Sequence, residues 1–177
     1  MRSDLREKWV YPAITGALYA ALTMLLAPVS YGTLQFRLSE ALCVLPFFLP
    51  YTSVGLFLGC AIANTLSAAG ILDIVFGSLA TLGAALCTAA LGRRTRRSGE
   101  TAPLPVRLAA CLSPVVWNGA VVGAVLAGSF TPQSGFRGGF WLFGGQVALG
   151  ELGVMLLLGL PLLSLLPRLL HKKDYSE

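Results

Sequence analysis

The sequence predicts an all-α integral membrane protein: a single membrane domain over residues 1–177, six transmembrane helices, and both termini in the cytoplasm. Composition carries the first step, because 55% of the residues are hydrophobic and 12% charged, whereas soluble domains average about 25% charged. Length carries the second. Several apolar runs approach the ~20 residues that a helix needs to cross ~30 Å of hydrocarbon, and none alternates as a membrane β-strand would. The third is the placement of positive charge, which orients the bundle.

Pro, Gly and charge divide the chain into helices at about 9–29, 38–51, 53–69, 72–92, 106–127 and 139–167. The first run, "WVYPAITGALYAALTMLLAPV", is unbroken by charge and too long for a signal-peptide core, so it is expected to be a retained helix. The second is short, and Pro46 and Pro50 kink or end it. The sixth is long enough to tilt or run past the membrane, with Pro161 and Pro167 near its exit. Residues 93–106, including "RRTRRSGETAP", read as a flexible basic loop beside anionic lipid.

Eleven of the thirteen basic residues fall in three clusters: Arg2, Arg6 and Lys8; Arg93, Arg94, Arg96, Arg97 and Arg107; and Arg168, Lys172 and Lys173. An even number of crossings puts all three on the cytoplasmic side. Arg37 and Arg137 face outward. Arg37 precedes Glu40 by three residues, a spacing that pairs them on one helical face; Arg137, in "SFTPQSGFRGG", divides evenly between a functional residue and a tolerated loop residue. Trp9 and Trp141 suit aromatic-belt positions. Cys43, Cys60, Cys87 and Cys111 lie in apolar stretches without a CxxC pair or a Cys/His cluster, so they read as small buried hydrophobes rather than metal or redox ligands. His171, in the basic tail, reads as interfacial.

Ionisable groups inside a membrane are costly enough that function is their default reading. On the expected topology Glu40, Asn64, Asp73, Asn118, Gln146 and Glu151 converge on the outer half of the bundle. The stretch "SYGTLQFRLSEAL", with Tyr31, Gln35, Phe36 and Arg37, then forms one wall and the lid of an outward-facing pocket. Interhelical polar glue is the competing account of the amides. Gln146 and Glu151 are about 140° apart on an ideal helix, so both reach one pocket only if that helix is distorted, which Gly144, Gly145 and Gly150 permit. On the first helix Ala13, Ala17 and Ala21 recur every four residues beside Gly16 and Ala20, a strip on which another helix can pack closely.

Together "SYGTLQFRLSEALCVLPFF", "GLFLGCAIANTL" and "DIVFGSLATLGAAL" resemble the QueT family, with "WNGAVVG" and "GGQVALGELGV" similar to its later helices. The resemblance covers roughly residues 9–165. It implies a substrate-binding subunit (S-component) of a bacterial energy-coupling-factor (ECF) transporter in the cytoplasmic membrane, capturing a queuosine precursor outside the cell. It also implies docking, through a small-residue face on the first helix, onto a transmembrane coupling subunit that carries two ATPase subunits. No GxxxxGK[ST] phosphate loop occurs in this chain, so ATP hydrolysis is expected in those partners and no enzymatic activity, cofactor or nucleic-acid partner here. The implied ligand is a 7-deazaguanine such as 7-aminomethyl-7-deazaguanine. Its guanine-like edge suits a carboxylate, its carbonyl needs a donor and its amine an anion. The expected pairings set Glu151 at the guanine edge, Asn118 or Gln146 at the carbonyl, and Glu40 or Asp73 at the amine. Arg37 fixes the loop through Glu40; Asn64 and Gln35 add polar contacts; Tyr31, Phe36, Phe136 and Phe140 offer stacking faces.

The alternative function is an ion-coupled secondary transporter using Glu40 or Glu151. Such folds often carry inverted repeats, and no clear repeat is visible. A membrane enzyme would need a nucleophile, a metal cluster or a matched acid and base, and neither HExxH nor GxSxG appears.

Overall fold

In the computed structural model, described for residues 2–31, 34–98, 102–131 and 135–171, every regular element is helical. The α-helices are α1 (Arg2–Leu25), α2 (Ala27–Ser30), α3 (Thr52–Ala63), α4 (Ser78–Ser98), α5 (Leu104–Phe130), α6 (Phe136–Val154) and α7 (Leu160–His171). Between them lie 3-10 segments at Leu38–Phe47 and Asn64–Leu66 and wide π-type turns at Asp73–Gly77 and Met155–Gly159. Three stretches among the described residues are long and apolar enough to cross a membrane: Asp73–Arg96, Leu104–Phe130 and Phe136–Pro167. The apolar stretches Leu38–Phe47 and Thr52–Leu66 are shorter, so at ~1.5–2.0 Å per residue each needs its flanking residues to cover ~30 Å. The chain is a multi-pass membrane protein.

Several boundaries differ from the sequence-based expectation. The segment expected at 38–51 ends at Phe47 as a 3-10 helix, with Pro46 inside it; proline removes an amide donor there and disfavours a regular α-turn. The basic loop expected at 93–106 is much shorter, because α4 continues through Arg93, Arg94, Arg96 and Arg97 to Ser98, and Arg107 already belongs to α5. Arginine is a good helix former, and cations in a last turn suit the helix dipole. Arg96 also donates to the Phe47 and Phe48 carbonyls, fastening the end of α4 to the end of the 3-10 segment. Arg137 lies in the first turn of α6 and is exposed. Cys87, expected to be buried like the other three cysteines, is exposed. Lys172 and Lys173 lie outside the described residues.

Glycines set the closest helix contacts. A Cβ on Gly16 would sit 2.6 Å from the Gly55 carbonyl oxygen, and Gly59 faces the Gly16 backbone just as closely. The Gly55-x-x-x-Gly59 pair therefore lets α3 lie directly on α1, the close packing that small residues allow within lipid. On the other side of the bundle Gly119 and Gly123 of α5 meet Gly144 and Ala148 of α6. Because Gly16 and Ala20 face inward, Ala13, Ala17 and Ala21 are left exposed on the outer side of α1. One apolar cluster joins Val44 and Phe47 to Ala110, Cys111, Val115, Met155 and Leu163; a second gathers Tyr19, Cys43, Leu56, Cys60, Ala63 and Ala85, and a third Val122, Leu126 and Val147.

Candidate functional site

Local backbone geometry brings the polar groups inward. After α2 the chain turns back, with the Phe36 amide donating to the Val29 carbonyl at 3.0 Å. Gln35 has φ +42°, a left-handed conformation uncommon for a residue with a side chain. The Leu34–Arg37 stretch then lies against α6: Gly150 leaves room for the Leu34 and Gln35 carbonyls, and Gly153 for the Phe36 ring. It also delivers the Arg37 side chain into the bundle, where only 5% of its surface is exposed.

Arg37 does not pair with Glu40, the partner expected from spacing. Its Nη2 meets Asp73 Oδ2 at 3.4 Å, and its guanidinium lies 5.1 Å from the centre of the Tyr31 ring. Tertiary packing selects this partner: the π-type turn presents the Asp73 carboxylate to the interior, and Asn64 holds that turn by donating to the Asp73 carbonyl at 2.9 Å. The Tyr31 hydroxyl donates to the Ala63 carbonyl just before Asn64. Asp73 is thus engaged by a protein cation.

Glu40 is fully buried and is held by α1 and by its own segment. The Tyr19 hydroxyl donates to Oε1, and the Cys43 thiol donates to Oε2 at 3.0 Å. A second tie, Thr23 Oγ1 to Ser39 Oγ at 2.6 Å, fixes the same two elements. Across the bundle Asn118 Nδ2 of α5 donates to Glu151 Oε1 of α6 at 2.8 Å. Arg37 Nε, Asn64 Oδ1, Asp73 Oδ1 and Asn118 Oδ1 are buried without a protein partner.

Beside this polar core is a hollow of about 200 Å³ lined by Tyr31, Gln35, Ser67, Ala68, Ala69, Leu126, Phe130, Phe143 and Gln146. Gln35 joins the two regions, since its side chain borders the hollow while its carbonyl rests on Gly150, next to Glu151. Gln146 and Glu151 therefore do not share a wall. The helix distortion expected between them falls after both: α6 stays regular through Val154 and widens only at Met155–Gly159. Phe136 and Phe140 stack on each other, with centroids 6.3 Å apart, and the aromatic faces of the hollow come instead from Tyr31, Phe130 and Phe143.

The hollow is a small cleft with aromatic faces and the amides of Gln35 and Gln146 in its lining, a combination that can hold a flat polar molecule. Among the described residues no His, Cys, Asp and Glu group is placed to hold a metal ion. The family profile described as QueT transporter matches residues 9–168. The chain belongs to the QueT transporter family. A Queuosine precursor transporter QueT from Lactococcus lactis subsp. cremoris (strain MG1363) is 43% identical over 72 residues, 40% of this chain and 42% of the relative. The match thus spans less than half of that relative's length. No solved structure matches.

Within this QueT-family chain, residue type and depth singled out Glu40, Asn64, Asp73, Asn118 and Glu151, and Arg37 joins them in the core. Reading residue types did not single out Tyr19, Thr23, Ser39 or Cys43, which hold Glu40 and its segment. A Tyr and a Thr four residues apart on one face of an otherwise apolar helix were the available signal.

Proposed function

We propose that this protein is the substrate-capture subunit of an ECF-type ATP-driven importer, an S-component that binds a 7-deazaguanine queuosine precursor in an outward-facing pocket. The observation that carries the reading is the pairing of an aromatic hollow with the buried acceptors of Glu40, Asn118 and Glu151 in a chain of this family. Glu151, Asn118, Gln146, Glu40, Arg37, Gln35, Asn64, Asp73, Tyr31 and Phe36 form the binding set. Within it Asp73 acts through Arg37, and Phe36 seats the loop on Gly153. Asn118 already gives an N–H to Glu151, so it offers the ligand its free carbonyl oxygen as an acceptor.

The chain crosses the bacterial cytoplasmic membrane six times with both termini inside. The exposed Ala13, Ala17 and Ala21 face docks onto the coupling subunit, and two partner ATPases supply the energy. Exposure supports this use of the strip, since internal packing falls instead to Gly16 against Gly55 and Gly59. The test is mass spectrometry of small molecules retained through purification, followed by titration with 7-aminomethyl-7-deazaguanine. The expected result is a retained deazaguanine and saturable binding; a purified, folded protein that does neither refutes the reading.

A further inference from the structure

Gln35 combines three properties that stability alone does not explain. Its backbone stands at φ +42°, in the left-handed region that strains any residue other than glycine. Only 9% of its surface is exposed, yet among the described residues its carboxamide has no hydrogen-bond partner; what it bonds is main chain, its carbonyl accepting from the Arg37 amide at 2.9 Å. The side chain instead lines the hollow beside Tyr31, Phe130 and Phe143. A strained backbone and a buried amide without a partner each cost stability. The fold enforces both: the Phe36 amide is tied to the Val29 carbonyl at 3.0 Å, and the Leu34 and Gln35 carbonyls are seated where Gly150 has no side chain.

We infer that Gln35 is the specificity-determining residue of the hollow: its carboxamide pairs with the lactam edge of the ligand, donating to the ring carbonyl and accepting from the adjacent ring N–H. The inference rests on the deazaguanine reading above and assigns the carbonyl to Gln35 in place of Asn118 or Gln146. A carboxamide sets donors beside an acceptor, the reciprocal of a lactam, so two parallel hydrogen bonds form in one plane. The positive φ sets the direction of the Cα–Cβ bond and so where the amide is presented. Asn118 is less suited, because its amide N–H already goes to Glu151 at 2.8 Å. Gln146 borders the same hollow from α6 but is more exposed, so water competes for its amide. A base without the carbonyl leaves the Gln35 amide unmatched in a buried site, the condition in which such sites discriminate strongly.

The test titrates the full-length protein in lipid nanodiscs with 7-aminomethyl-7-deazaguanine and with its analogue lacking the ring carbonyl. Wild-type protein is expected to bind the carbonyl compound about tenfold or more tightly than the analogue. Gln35→Met, of similar size without the amide, is expected to bind the two compounds within about threefold of each other. Gln35→Gly is expected to lose the same preference at a melting temperature close to wild type, since relief of the positive φ offsets the added freedom of its unfolded chain. Gln146→Met is expected to keep the preference; losing it there instead would assign the carbonyl to Gln146 and overturn the inference. A Gln35→Met protein with wild-type affinity and preference would show a side chain that only fills space, and wild-type protein indifferent to the carbonyl would show that nothing reads it. Either result sinks the inference and leaves the deazaguanine reading standing, whereas binding of neither compound by the wild-type protein removes both. Should one Gln35 variant fail to fold, the other decides.

Discussion

The Tyr19 hydroxyl of α1 donates to the Glu40 carboxylate of the 3-10 segment, and both residues are fully buried. One bond thus ties the helix that carries the exposed alanine face to the carboxylate at the centre of the site. Tyr19→Phe keeps the ring and removes the donor. It is expected to cost about 1–3 kcal/mol of stability and to weaken ligand binding about tenfold, because among the described residues Glu40 then keeps the Cys43 thiol as its side-chain donor. Thermal unfolding together with calorimetric titration checks both, and wild-type values for the two would show that the bond positions nothing.

Breaking the Arg37–Asp73 pair leaves one buried charge without its partner. Arg37→Met alone is expected to destabilise the protein by about 3–5 kcal/mol, and adding Asp73→Leu to recover part of that loss. The double-mutant cycle, followed by unfolding in detergent, measures the coupling. Strictly additive single effects would count against a direct pair.

Close backbone approach between α1 and α3 makes Gly16 intolerant of bulk. Gly16→Val is expected to force the helices apart and to cost about 1–3 kcal/mol, whereas Gly128→Ala, with open space around it, changes stability by less than about 0.5 kcal/mol. Equal melting temperatures for the two variants would show that the α1–α3 contact is looser than described.

Ala17 is exposed on α1 and is not part of the hollow's lining. Ala17→Trp is therefore expected to leave the affinity for 7-aminomethyl-7-deazaguanine within about twofold while reducing uptake by cells that also make the coupling subunit and ATPases. Undiminished uptake would place the docking face elsewhere.

The carboxylates, the amides and the small-residue strip were legible because each is a local anomaly: polarity inside apolar runs, or missing bulk at a helical spacing. Partner choice was not legible. Spacing pointed Arg37 to Glu40, yet Asp73, which lies 36 residues away in sequence, takes it, since a π-type turn rotates Asp73 inward and no short-range pattern encodes that rotation. Aromatic faces were misassigned for a related reason. Phe130 and Phe143 stand in plain apolar stretches, and only the crossing of α5 and α6 gives them a common hollow.

By itself the sequence determined that this protein lives in lipid as a bundle of helices, because hydropathy and helix length are additive properties that read out residue by residue. Only the tertiary structure decided that Arg37 neutralises Asp73 and that Tyr19 and Cys43 hold Glu40. Those choices depend on which side chains meet when glycine-lined helices close on one another. In a low-dielectric interior the energy of a charge is set by its immediate neighbours, whatever their distance along the chain.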